Sequence, residues 1–181
     1  MKNKIEYNIN ISDYREYPHK FIKQLSKIKL TDEIYDDILK KLYNYDFNNG
    51  TNGYVYCVHN KMYNAYGDNI YKLGMAQDIE KRLLSYTTYY IDKTKLILKS
   101  NKVNNYRMTE NLLFQFLEEY RIRNDREFFN CDLSIIEEKF IKINNMTNND
   151  ENIEYDKKYM LKINDEMIRF IKSNELLCKI H

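Results

Sequence analysis

Tyrosine, lysine, arginine and carboxylate side chains follow one another in a fixed order between Gly53 and Phe129. The stretch reads Gly53-Tyr54-Val55-Tyr56-Cys57-Val58, then Ile70-Tyr71-Lys72-Leu73-Gly74, then Arg82, Glu110 and Arg126-Glu127-Phe128-Phe129. Hydrolysis of a phosphodiester needs an activated water, charge relief on the phosphoryl oxygens and help for the leaving oxygen. A phenol, an ammonium, a guanidinium and a metal-binding carboxylate are the side chains suited to those tasks.

Two of these charges interrupt an apolar pattern. After Gly74, Ile79, Leu83 and Tyr86 mark the inward stripe of a helix. Arg82 lies three residues after Ile79 and four before Tyr86, on that face or its edge. In a later helix Leu113, Phe114 and Leu117 follow Glu110 at three, four and seven residues. Glu110 therefore heads the stripe and points toward the sheet, where a carboxylate is costly unless paired or bound to a metal. The alternative for each is a flank position whose head reaches water.

The elements that must position these groups are legible around them. Tyr54 to His59 reads as a strand with Tyr54, Tyr56 and Val58 on one face and Val55, Cys57 and His59 on the other. Ile70 to Gly74 reads as a second, antiparallel strand ended by glycine. Tyr56 and Lys72 share a face if the register allows it. Asn60 to Asn69 is a polar loop, and Thr94 to Ser100 a third strand. Asp78 caps or begins a helix through Tyr86, and Thr109 caps or begins one reaching Arg121. Phe128-Phe129 is a short apolar patch, and Leu133 to Ile143 is helical.

Upstream, Pro18 starts one helix and Thr31-Asp32-Glu33 caps another, giving an N-terminal helical hairpin over residues 1–50 behind an irregular start. Asn48 to Gly53 marks the boundary. Residues 51–147 form the central domain, with a polar loop from Asn144 to Asn152, and residues 148–181 carry a C-terminal amphipathic helix. The expected class is α/β (α+β): a small three-stranded antiparallel sheet flanked by helices, with helical extensions at both ends.

Composition narrows the function classes. With 29 basic and 27 acidic residues the net charge is +2, so any nucleic-acid contact must come from a local patch. The 3 cysteines are widely spaced, which points to a reducing compartment without disulfides or structural zinc. No apolar run resembles a signal peptide or spans a bilayer, so the expectation is a soluble, intracellular protein with no membrane partner. Abundant Asn, Lys, Ile and Tyr, whose codons are AT-rich, fit a large DNA virus, a phage or an AT-rich microbe. A viral protein would then act in the host cytoplasm or nucleus.

With these residues in view, the chain resembles the GIY-YIG nuclease superfamily, above all its short phage and viral members. The half-motifs are Gly53-Tyr54-Val55-Tyr56 and Tyr71-Lys72-Leu73-Gly74. The helix arginine is Arg82, the glutamate is Glu110, and the trailing pattern is Arg121-Ile122 and Glu127-Phe128-Phe129. The likeness covers roughly residues 53 to 143. Lys72 stands where the strict motif has its tyrosine, Phe114 where this branch often has a histidine, and Asn130 is a candidate for the late asparagine of other branches.

The resemblance implies a DNA endonuclease using Mg²⁺ or Mn²⁺ held by Glu110. Arg82 would grip the scissile phosphate and Tyr56 would orient or deprotonate the attacking water. Lys72 would supply the cation favouring the Tyr56 phenolate, with Tyr71 and His59 as further candidates for phosphate contact or proton transfer. This reading requires Tyr56, Lys72, Arg82 and Glu110 to converge on one concave face. The N-terminal hairpin would pack on the core or form a homodimer. The rival readings are a catalytically weakened module that binds nucleic acid or protein, and an unrelated α/β interaction protein.

Overall fold

A computed structural model describes residues 7–146 and 154–178. The chain forms two compact units, Met1–Asp46 with Lys157–His181, and Phe47–Asp156. The first helices are α1 (Ser12–Glu16), α2 (Pro18–Leu25) and α3 (Asp32–Asn48). Pro18 sits in the opening turn of α2, where its missing N–H costs nothing. The Thr31 hydroxyl accepts the Ile34 N–H at 3.3 Å, as the sequence leads one to expect of a cap. The short α1 lies partly in the stretch expected to be irregular; five residues are too few for a periodic signal.

In the Phe47–Asp156 unit, β1 (Tyr54–His59) and β2 (Ile70–Ala76) pair antiparallel, joined by a 3₁₀ turn over Lys61–Tyr66 inside the expected loop. Asp78 accepts the Lys81 N–H and opens α4 (Ile79–Tyr89). β3 (Lys95–Lys99) follows, then α5 (Tyr106–Phe116), β4 (Phe128–Asn130) and α6 (Leu133–Met146). The sheet is mixed with helices as expected, but it has four strands in the order β3-β1-β2-β4. The apolar patch at Phe128-Phe129 is the fourth strand, too short for alternation to reveal, and it pairs Lys72 with Phe128 and Tyr71 with Phe129.

Several boundaries also differ from the sequence reading. β2 runs through Gly74 to Ala76 instead of ending at the glycine. Asn105, not Thr109, caps α5 by accepting the Met108 N–H at 3.1 Å; Thr109 lies inside the helix with its hydroxyl on the Asn105 carbonyl. The helix stops at Phe116, and a 3₁₀ turn over Glu118–Tyr120 replaces the expected continuation to Arg121. The helix α6 extends to Met146, and residues 147–152 of the expected loop lie outside the described residues.

Strand alternation sorts the core into two sides. Val55, Cys57 and Leu73 pack with Leu113, Leu117, Phe129, Ile136 and Phe140, so α5 and α6 cover one face. Tyr56, Val58 and Ala76 pack with Ile79 and Tyr86 of α4 on the other. Within the Met1–Asp46 and Lys157–His181 unit, α7 (Lys157–Cys178) buries Ile163 and Met167. The Tyr14 ring there meets Phe21 and Phe170 edge-on at 5.2 and 5.1 Å.

Candidate functional site

Tyr56 and Gly74 are directly opposed across the β1–β2 ladder. The tyrosine ring lies flat over the glycine: a Cβ on Gly74 would stand 2.6 Å from the Tyr56 hydroxyl and 2.7 Å from its ring carbon. That close approach explains why a glycine sits inside a strand, where it otherwise weakens the ladder. The Tyr56 hydroxyl then reaches the Tyr86 hydroxyl of α4 at 2.8 Å, and Tyr56 is only 2% exposed. Burial, and next the bond to Tyr86, push the Tyr56 phenol well above its ordinary value, opposed by the Arg82 charge.

The register puts Lys72 opposite Val58, on the Tyr56 face, as the reading required. Its ammonium does not serve Tyr56, however. It is ion-paired to Glu127 and lies 5.2 Å from the centroid of the Phe128 ring. The Glu127 carbonyl also accepts the Leu73 N–H at 3.0 Å, tying the start of β4 to the middle of β2. Arg82, not Lys72, is therefore the cation that opposes the high Tyr56 value.

Glu110 is the fifth residue of α5 and is 7% exposed. Among the described residues it makes no hydrogen bond and no ion pair. Burial pushes its carboxyl from an ordinary 4.5 up to about 7, and the Glu127 carboxylate adds to that, against relief from Lys72, Arg107 and Arg82. Helices α4 and α5 cover opposite faces of the sheet, so the convergence on one face does not come from the helices themselves. β4 stops at the Lys72–Phe128 pair, leaving Gly74–Ala76 of β2 without a neighbour on that side. The Glu110 carboxyl is nevertheless within electrostatic reach of Lys72, on the Tyr56 face, and of Arg82 in α4.

Arg82 follows the flank alternative. It is exposed, and its guanidinium makes no hydrogen bond or ion pair among the described residues. Its backbone is nevertheless fixed, since its N–H donates to Asp78, the residue that caps α4. The result is a buried carboxylate and a free guanidinium acting on the same space. Oxygen donors from one buried carboxylate, with a second nearby, suit a hard cation that keeps most of its waters. No three His, Cys, Asp or Glu side chains cluster among the described residues, so a fuller protein cage is not on offer there.

The other candidates lie elsewhere. Tyr71 pairs with Phe129 on the α5–α6 face. The His59 Nδ1–H donates to the Ile70 carbonyl at 3.0 Å, and its ring sits against Tyr71 and Tyr63. Strand alternation thus puts both on the face opposite Tyr56. Phe114, in the place of a histidine, stacks at 5.3 Å on Phe129 as part of the core. Asn130 is exposed at the end of β4, opposite Ile70. Glu127 and Tyr86 were missed as site residues. A carboxylate next to an apolar pair was a usable signal for Glu127, whereas the Tyr86 hydroxyl was hidden behind its part in an apolar stripe.

No curated protein and no solved structure matched the chain. A model of the T5orf172 domain matches residues 53–144. Those residues are about half the chain and hold β1 to β4, α4, α5 and every charged group of the site. The chain therefore belongs to the T5orf172 domain family, a phage-associated family related to the nucleases of the GIY-YIG and HNH-like kinds.

Proposed function

We propose that the protein is a metal-dependent DNA endonuclease of the GIY-YIG type. The observation that carries the reading is the Glu110 carboxyl, buried without a protein partner and electrostatically coupled to Lys72, Glu127 and Arg82. Glu110 would hold Mg²⁺ or Mn²⁺, which when bound would supply positive charge to acidify water and offset the phosphoryl oxygens. Arg82 binds the scissile phosphate, a task that its fixed fork and unpaired state suit. Glu127 is a positioning residue that holds Lys72 beside Phe128, so that the ammonium stays next to the carboxyl.

Tyr56 acts as a neutral phenol in this scheme. Its hydroxyl is hydrogen-bonded to that of Tyr86 and orients water in the same way, and a phenolate forms only when added positive charge overcomes burial. That same burial favours one second reading, a catalytically weakened module that holds nucleic acid without cutting it. Incubation with supercoiled, branched and single-stranded DNA plus Mg²⁺ or Mn²⁺ separates the two. The endonuclease reading expects strand breaks that Arg82→Ala reduces at least a hundredfold; binding without breaks from any DNA favours the weakened module.

A further inference from the structure

Beside the site, on the side of Lys72 and Phe128, lies a groove of about 530 Å³. Its walls include Tyr63, Tyr66, Tyr90, Ile122, Arg126 and Phe128. The 3₁₀ turn that forms one wall starts where Asn60 accepts the Met62 N–H and stops at Gly67, whose φ of 143° few side chains adopt. That short, pinned turn holds Tyr66 outward, 81% exposed. Tyr63 forms the floor, edge-on to Phe128 at 5.1 Å and to Tyr90 at 5.8 Å. Its hydroxyl is buried in electrostatic contact with Tyr90, without a well-formed hydrogen bond to any described residue.

The groove is continuous with the site at two points. Phe128 carries the Lys72 ammonium over its ring, and Tyr90 stacks at 5.9 Å on Tyr86, the hydroxyl partner of Tyr56. Its charge is complementary to a phosphate. Arg123 is closed onto Asp125 by two hydrogen bonds at 3.0 and 3.1 Å, but Arg126 approaches that carboxylate only to 3.8 Å. Arg126 is thus the freer guanidinium at the groove. Aromatic walls beside an arginine stack nucleobases of any sequence while the cation takes the backbone. A base within a duplex is already stacked and cannot enter.

We propose that this groove holds an unpaired nucleobase flanking the scissile phosphate, stacked on Tyr66 with Arg126 on its phosphate. The preferred substrate is then DNA with a single-stranded segment or flap at the cut, an inference that rests on the endonuclease reading above.

The test pairs cleavage with fluorescence. A flapped and a fully duplex DNA of the same sequence carry 2-aminopurine in the strand next to the junction, and the full-length protein is used throughout. The expected result is faster cutting of the flapped DNA, with a flap-to-duplex ratio that Tyr66→Ala lowers about five- to tenfold and Tyr66→Phe preserves. The Glu110→Gln protein should quench 2-aminopurine in the flap but not in the duplex, and addition of Tyr66→Ala should abolish the quenching. Equal cutting of both DNAs, with no quenching in a bound flap, overturns the groove assignment and leaves the endonuclease reading standing. Quenching without cutting of any DNA supports the groove and overturns the endonuclease. Absence of both binding and cutting overturns both.

Discussion

Glu110 is the residue whose environment makes the strongest demand. Its carboxyl titrates near 7 in the folded chain against an ordinary 4.5, so between these values the native state holds more protons than the unfolded one. Stability therefore falls as pH rises through this window, by on the order of 3 kcal/mol once the buried group is fully charged. Glu110→Gln should flatten that slope and raise the melting temperature at pH 8, as scans of Tm from pH 5 to 8 would record. Parallel curves for both proteins would remove Glu110 as the cause. Divalent metal should reverse the effect in the parent protein, because it binds the carboxylate form. The misfit of Glu110 with its stripe was legible in the sequence from a count of three, four and seven. For Arg82 the same count left the face or its edge open, and the long side chain takes the edge and reaches water.

At the scale of elements, the two half-motifs are one object. Gly74 belongs with Tyr56 because the strand register stacks the ring on the glycine, and neither half has its meaning alone. Gly74→Ala should cost about 1–3 kcal/mol of stability in denaturant melts, since the new methyl meets a buried ring that has no free space. Adding Tyr56→Ala to that variant should recover part of the loss; a strictly additive double variant would contradict the contact. Asp78→Ala should cost about 1 kcal/mol in denaturant melts by removing the side-chain cap on the Lys81 N–H of α4. The strands β1 to β3 and the helices other than α1 were readable from alternation and helical spacing. β4 was not, because three residues carry no period, and its identity is set by long-range pairing with Ile70 to Lys72. The glycine was misread as a strand end for a related reason: only the opposing tyrosine explains it.

For the whole molecule, a net charge of +2 means that DNA would be gathered by a local field. Arg82 and Arg126 are both exposed, and Lys72, Arg107 and Arg82 all act on the Glu110 carboxyl. Among the described residues no helix is long and apolar enough to cross a membrane. Binding through so few cations should show a shallow salt dependence, with a slope reduced by about one for each of Arg82→Ala and Arg126→Ala in titrations at increasing salt. The composition foretold that any patch would be local. It could not say where the patch lies, because Arg82 and Glu110 come from helices on opposite faces of the sheet, a matter of long-range packing.

The central claim is that Glu110 serves phosphodiester cleavage and not DNA binding. Its most direct test is one titration of supercoiled plasmid in Mg²⁺, following binding and strand breakage together for the parent and Glu110→Gln proteins. The account predicts that the variant binds at least as tightly, since it loses a negative charge, while breakage falls by a hundredfold or more. Undiminished breakage by Glu110→Gln would contradict it.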